Sequence, residues 1–121
     1  MPAKLVHFEL PAQDTDRAKA FWSTVCDWQF GDSAMPDFDY FMVQTATEQG
    51  GAVYTAQGGE KGPIVYFDTD DIDASIATVR EQGGQADDKQ PIPHIGWFAR
   101  CADTEGNTFS LYQSDESASE S

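Results

Sequence analysis

The chain has 121 residues, 40% of them hydrophobic and 12% aromatic, which is about one domain's length with enough apolar side chains for a core. Its 21 acidic residues against 7 basic ones give a net charge of −14, a field that repels nucleic acid and anionic membrane, both of which need clustered Lys and Arg. The two cysteines, Cys26 and Cys101, lie in no CxxC or zinc-type spacing and read as reduced, mostly buried thiols of a cytoplasmic protein, with no secretory signal or membrane span in view.

In chain order, residues 5–10 form a short β-rich run, followed by a Pro11 breaker and the capping candidates Asp14, Thr15 and Asp16. Ala18, Phe21, Trp22 and Val25 then recur at i, i+3, i+4 and i+7, the stripe of a helix with one buried face. Residues 28–30, 40–45 and 51–55 read as three strands between Gly, Asp and Pro punctuation. Residues 57–62, Gln-Gly-Gly-Glu-Lys-Gly, form a linker; these glycines lack the strand-to-helix setting of a phosphate loop. A second unit begins with a strand over residues 63–69. Asp70 or Asp71 caps a helix whose Ile72, Ile76 and Val79 share a face, and Gly83-Gly84 ends it. Three more strands are expected over residues 85–90, 95–102 and 107–113, and the acidic, serine-rich residues 114–121 read as a disordered, solvated tail.

The order is a repeat. Val6-His7-Phe8-Glu9, an acidic turn and a helix match Val65-Tyr66-Phe67-Asp68, a second acidic turn and a second helix. His7 falls opposite Tyr66 and Glu9 opposite Asp68, and two copies of one supersecondary unit are expected to pack as a pair. The fold class is α+β: two tandem β-α-β-β-β modules, about residues 4–56 and 63–113, forming cupped mixed sheets with helices outside, within one domain spanning 1–113.

Gly96-Trp97-Phe98-Ala99-Arg100 and Asp103-Thr104-Glu105-Gly106-Asn107-Thr108-Phe109-Ser110-Leu111-Tyr112-Gln113 complete a pattern that resembles the vicinal oxygen chelate superfamily, which includes glyoxalase I, extradiol dioxygenases and bleomycin- and fosfomycin-resistance proteins. The last segment is similar to that superfamily's D-P-x-G-N-x-x-E-L turn and strand, with Thr104 in place of Pro. The resemblance covers about residues 4–113 and fits best the small glyoxalase-like proteins of undefined activity. It implies four metal ligands, two His or Gln and two Glu, at places that here hold His7, Tyr66, Ser110 and a residue near Ala52. Only His7 keeps a ligand type, and one imidazole holds a divalent ion poorly. No metal is therefore expected at the inherited site. A relocated site on His7, Glu9 and Asp68, with Asp70 or His94 assisting, is the alternative, its cofactor being one divalent metal ion.

Side chains two apart on a strand share a face, so His7 pairs with Glu9, Tyr66 with Asp68, and Ser110 with Tyr112. His7 and Glu9 are the candidate catalytic pair, set against a purely structural hydrogen-bonded role for His7. Tyr66, Asp68, Ser110, Tyr112, Trp97 and Arg100 are the candidate ligand-binding set, with Tyr40 and Phe41 as further walls. Trp97 and Arg100 fall on opposite faces of their strand, so only one of them can line a given cup. The expected function is to hold a small organic molecule in a cup between the modules without the usual metal tetrad. The alternatives are a divalent-metal lyase, isomerase or dioxygenase, and a metal-free enzyme using His7 and Glu9 as acid and base. A homodimer is expected from the habit of the superfamily and from exposed sheet edges.

The tail accounts for three acidic residues, Asp115, Glu116 and Glu120, and the rest of the charge excess belongs to the body. Aspartate-rich, lysine-poor composition resembles that of proteins from salt-accumulating organisms. Because the screening length shrinks from about 10 Å at 0.1 M salt to about 3 Å at 1 M, molar potassium chloride should raise the melting temperature; an unchanged midpoint in a thermal scan would contradict a salt-adapted surface.

Overall fold

The computed structural model describes residues 2–46 and 49–119. Among them are nine strands and two helices in an α+β arrangement: β1 (Leu5–Ala12), α1 (Thr15–Cys26), β2 (Phe30–Ser33), β3 (Tyr40–Gln44), β4 (Gly50–Thr55), β5 (Ile64–Asp68), α2 (Ile72–Glu81), β6 (Gln85–Ala86), β7 (Gln90–Ile92), β8 (Gly96–Ala102) and β9 (Thr108–Ser114). By internal packing the chain divides into two compact units, His7–Ile64, and Met1–Val6 with Val65–Ser121.

In the first of these, β2, β3, β4 and β1 lie in that order, β1 running parallel to β4 and the rest antiparallel. Asp14 caps α1 by accepting the Arg17 N–H. Phe8 tilts against Trp28, with centroids 5.7 Å apart, and Trp28 stacks on Trp22 at 5.2 Å. The Phe8 ring fills the space above Gly51, where any Cβ would lie within 2.6 Å of it. The stripe on α1 is only half used. Ala18 and Trp22 are partly buried, whereas Phe21 is 55% and Val25 61% exposed, because the indoles of Trp22 and Trp28 span the gap to Phe8 and leave the flanks of the stripe outside. Cys26, at the helix end beside the left-handed Asp27, is exposed rather than buried, while Cys101 is buried as expected. Trp28 lies ahead of β2 rather than within it.

In the second unit the order is β5, β9, β8, β6, with β5 parallel to β9 and β7 also paired to β8. Asp71 caps α2 by accepting the Ala74 N–H, the same device as Asp14. The helix ends in a Schellman motif: Gly83, at φ 91°, bonds back to Arg80 and Gly84 to Val79. Ile72 and Ile76 pack on Ala99, Cys101 and Leu111. The strand expected over residues 85–90 is two strands, broken at Asp87-Asp88-Lys89, each pairing a different end of β8. In the turn before β9, the Asp103 carboxylate accepts from the Glu105 and Asn107 N–H groups and the Asn107 amide, and Gly106 takes φ 84°.

Residues 114–119 depart from the expected disordered tail, whose last two residues, Glu120 and Ser121, lie outside the described residues. Ala118 is 1% exposed and accepts the His94 N–H. Asp115 accepts from the Trp97 indole at 3.0 Å and from the Ser117 hydroxyl at 2.6 Å, the latter being the main cause that holds its carboxyl below the usual range. A polar composition thus folds back by hydrogen bonding together with burial of the single Ala118 methyl. Asp115→Ala should lower the urea midpoint and red-shift Trp97 emission, because the indole loses its acceptor; urea unfolding with fluorescence detection checks both.

Candidate functional site

Each helix covers one face of its unit's strands, and alternation sends the polar candidates to the other. In the unit of β1, His7, Glu9 and Pro11 alternate with Phe8 and Leu10, and the register sets Glu9 beside Ala52 and Ala52 beside Met42. Tyr40, two residues along from Met42, turns its hydroxyl toward β1. It donates to Glu9 Oε2 at 2.6 Å and lies 2.9 Å from His7 Nε2. The His7 and Tyr40 rings are nearly parallel, 14° apart. Glu9 is only 6% exposed, so this phenol bond meets the need of a buried carboxylate for a donor. Burial depresses the His7 pKa below 6.5, and the nearby Glu9 charge partly opposes it.

In the unit of β5, one row runs straight across three strands: Tyr66 opposite Ser110, and Ser110 opposite Arg100. Ser110 is wholly buried and its Oγ accepts from Arg100 Nη1 at 2.8 Å. The guanidinium carbon sits 5.7 Å from the centre of the Tyr66 ring. A cleft of about 190 Å³ opens beside this row, lined by Gln85, Asp87, Arg100, Cys101, Ala102 and Thr108. The next row is Asp68, Tyr112 and Phe98. Asp68 accepts the Lys4 N–H at 2.7 Å, and Tyr112 leans over Gly96 to reach the Ile95 carbonyl.

Trp97 does not join this face. It packs with Ala99 and Cys101 on the side of α2, its indole bonded to Asp115 and its ring 4.5 Å from Lys89 Nζ, because it is one residue out of phase with Arg100. His94 is exposed, at φ 67° in the turn before β8, and Asp70 is exposed ahead of the α2 cap. Tyr40 is the residue whose part in hydrogen bonding sequence reasoning missed, naming it only as a wall. Its place on β3 was legible, but not the register that aims it at Glu9.

The inherited ligand places do not fit a divalent metal. They hold an imidazole bonded to a phenol, a tyrosine, an alanine, and a serine hydroxyl already receiving a guanidinium. The fixed positive charge of Arg100 opposes a second cation at Ser110. Among the described residues no three His, Cys, Asp or Glu side chains gather as a cation site, and no helix is long and apolar enough to cross a membrane.

The depressed His7 value has a defined sign. The unfolded chain binds its proton first as pH falls, so the contribution of His7 to stability is complete above 6.5 and is lost as pH drops through that value toward the folded one. Urea unfolding between about pH 8 and about pH 5 should show wild type losing more stability than His7→Gln; parallel pH profiles would contradict it.

The family model for the glyoxalase-like domain matches residues 6–112. A glyoxylase-like domain-containing protein from Didymella fabae is 34% identical over 112 residues, covering 85% of this chain and 88% of that one. Among solved structures, a hypothetical protein from Bacillus halodurans C-125 has a TM-score of 0.72 at 14% identity, covering 99% of this chain and 100% of that one. Methylmalonyl-CoA epimerase from Mycobacterium tuberculosis gives 0.68 at 11%, covering 92% and 87%. The Streptomyces coelicolor epimerase in complex with 2-nitronate-propionyl-CoA gives 0.67 at 14%, covering 98% and 99%. These structural likenesses speak to the fold, and with the family match over nearly the whole chain they place this protein in the glyoxalase-like domain family of the vicinal oxygen chelate superfamily.

Proposed function

We propose that this glyoxalase-like domain binds a small organic anion on the helix-free face of β5, β9 and β8, without the four-donor metal site of its superfamily, as a cytoplasmic homodimer. The observation that carries the reading is the Arg100–Ser110 bond: at the place where the resemblance expects a metal-binding glutamate, the chain has a buried hydroxyl and a guanidinium seated on it. A guanidinium presents several donors in a planar fork suited to carboxylates. Ser110 and the Tyr66 face hold that fork in place. The adjoining cleft, about 190 Å³, compares with the roughly 150 Å³ engineered cavity that admits benzene, so it suits a metabolite-sized ligand. The complex of a similarly folded epimerase with 2-nitronate-propionyl-CoA supports a small-molecule role for the fold.

Thermal shift with pyruvate, malonate and succinate at constant ionic strength tests this. Wild type should be stabilised, by about 2.7 kcal/mol at a hundredfold excess over the dissociation constant, and Arg100→Met should respond to none of them while remaining folded by circular dichroism. Equal stabilisation of both proteins, or a stoichiometric divalent metal that survives dialysis of wild type and is lost on His7→Ala, would overturn the reading.

A further inference from the structure

We propose that the cleft beside Arg100 selects zwitterions, taking a small amino-carboxylate whose anionic end meets Arg100 and whose ammonium meets Asp87. The inference rests on the anion-binding reading of Arg100 given above and adds the charge of the opposite wall. Two rows of side chains meet at this cleft, which is lined by Gln85, Asp87, Arg100, Cys101, Ala102 and Thr108. Gln85 pairs with Ala102, and Ala102 with Thr108, so one short side chain lies between an amide and a hydroxyl and leaves the space above it open. In the next row Asp87 stands beside Arg100, its N–H donating to the Arg100 carbonyl at 2.9 Å, and Arg100 is opposite Ser110.

These two neighbours of opposite sign form no ion pair. The guanidinium leans from β8 toward β9 and β5, bonded to Ser110 Oγ at 2.8 Å and with its carbon 5.7 Å from the Tyr66 ring centre, whereas Asp87 follows β6 on the other flank of β8. The Asp87 carboxylate enters no ion pair and accepts no hydrogen bond among the described residues. Its charge nevertheless reaches the cleft: burial is the main cause that raises the Cys101 thiol pKa, the Asp87 charge raises it further, and the Arg100 and Arg80 charges oppose both. A simple anion entering here gains from Arg100 and loses to Asp87, because like charges at short range repel. An amino-carboxylate gains from both, since its ammonium brings donors to the Asp87 carboxylate. Neutralising Asp87 must then act in opposite directions on the two kinds of ligand.

Butanoate and 4-aminobutanoate share a carbon chain and differ in the ammonium group. Amide NMR titration at constant ionic strength gives a dissociation constant for each, and the Ala102 and Thr108 signals report whether the ligand sits in this cleft. Wild type should bind 4-aminobutanoate more tightly than butanoate, by up to about fivefold, the range for an exposed ion pair. Asp87→Asn should weaken 4-aminobutanoate and tighten butanoate; the residue is exposed and asparagine keeps its N–H, so the fold is retained. Asp88→Asn makes the same change in net charge one residue away, at a side chain 98% exposed beside Arg80, and should keep the wild-type preference. Arg100→Met should lose both ligands, and binding of both at wild-type strength would sink the anion reading and this inference together. If Arg100→Met loses both while Asp87→Asn binds 4-aminobutanoate at least as tightly as wild type, the anion reading stands and the zwitterion inference is overturned. A wild type that binds 4-aminobutanoate no better than butanoate, or binds neither, overturns it as well.

Discussion

The constraint on which the rest depends is the parallel pairing of the first and last strands of each unit, β1 with β4 and β5 with β9. Parallel neighbours cannot be joined by a tight turn, so the chain must leave through a helix and come back through antiparallel strands. The helix settles on one face only, and that face takes the apolar residues: Phe8, Val53 and Val43 in one unit, Ala99, Cys101 and Leu111 in the other. Alternation then commits the opposite face to His7 and Glu9, or to Tyr66, Ser110 and Arg100. The side chains available for chemistry are selected by the covering of the other side.

Once a face is left uncovered, its polar groups must satisfy one another or meet a ligand. The two units solve this differently. In one, a carboxylate, a phenol and an imidazole are chained by short bonds; in the other, an arginine is pinned between a buried hydroxyl and an aromatic ring. With a serine rather than a glutamate at position 110 and the Arg100 guanidinium bonded to it, the local charge at that place is positive, as the proposed anion site requires.

Much of the fold was legible because its signals are local. Asp14 and Asp71 announce their helices through capping, Gly83 ends α2 through a positive φ with Gly84 bonded back to Val79, and Asp103 to Asn107 close a turn through side chain to backbone bonds. The failures are non-local. The helical period marks Phe21 and Val25 as part of a stripe, but whether a stripe is covered depends on what reaches it, and here Trp22 and Trp28 reach first. Acidic composition suggested solvation of residues 114–119, yet one indole and one backbone N–H from β8 and its preceding turn hold them. Within the site, strand phase correctly separated Trp97 from Arg100, whereas the aim of Tyr40 depends on the pairing of β3 with β4 and of β4 with β1, which no single strand encodes.

The net charge sharpens what Arg100 means. Four of the seven basic side chains, Arg17, Lys19, Arg80 and Lys89, make ion pairs with aspartates at the surface, where such pairs contribute little to stability and are screened by salt. Arg100 instead lies against a wholly buried hydroxyl, where its charge is less screened and its geometry is fixed. An anion approaching this protein meets long-range repulsion from the acidic body and short-range attraction at one oriented fork. The first falls away with ionic strength faster than the second, because screening acts most strongly on distant charges. An acidic surface and the anion-binding role proposed for Arg100 are therefore compatible, and most so in concentrated salt.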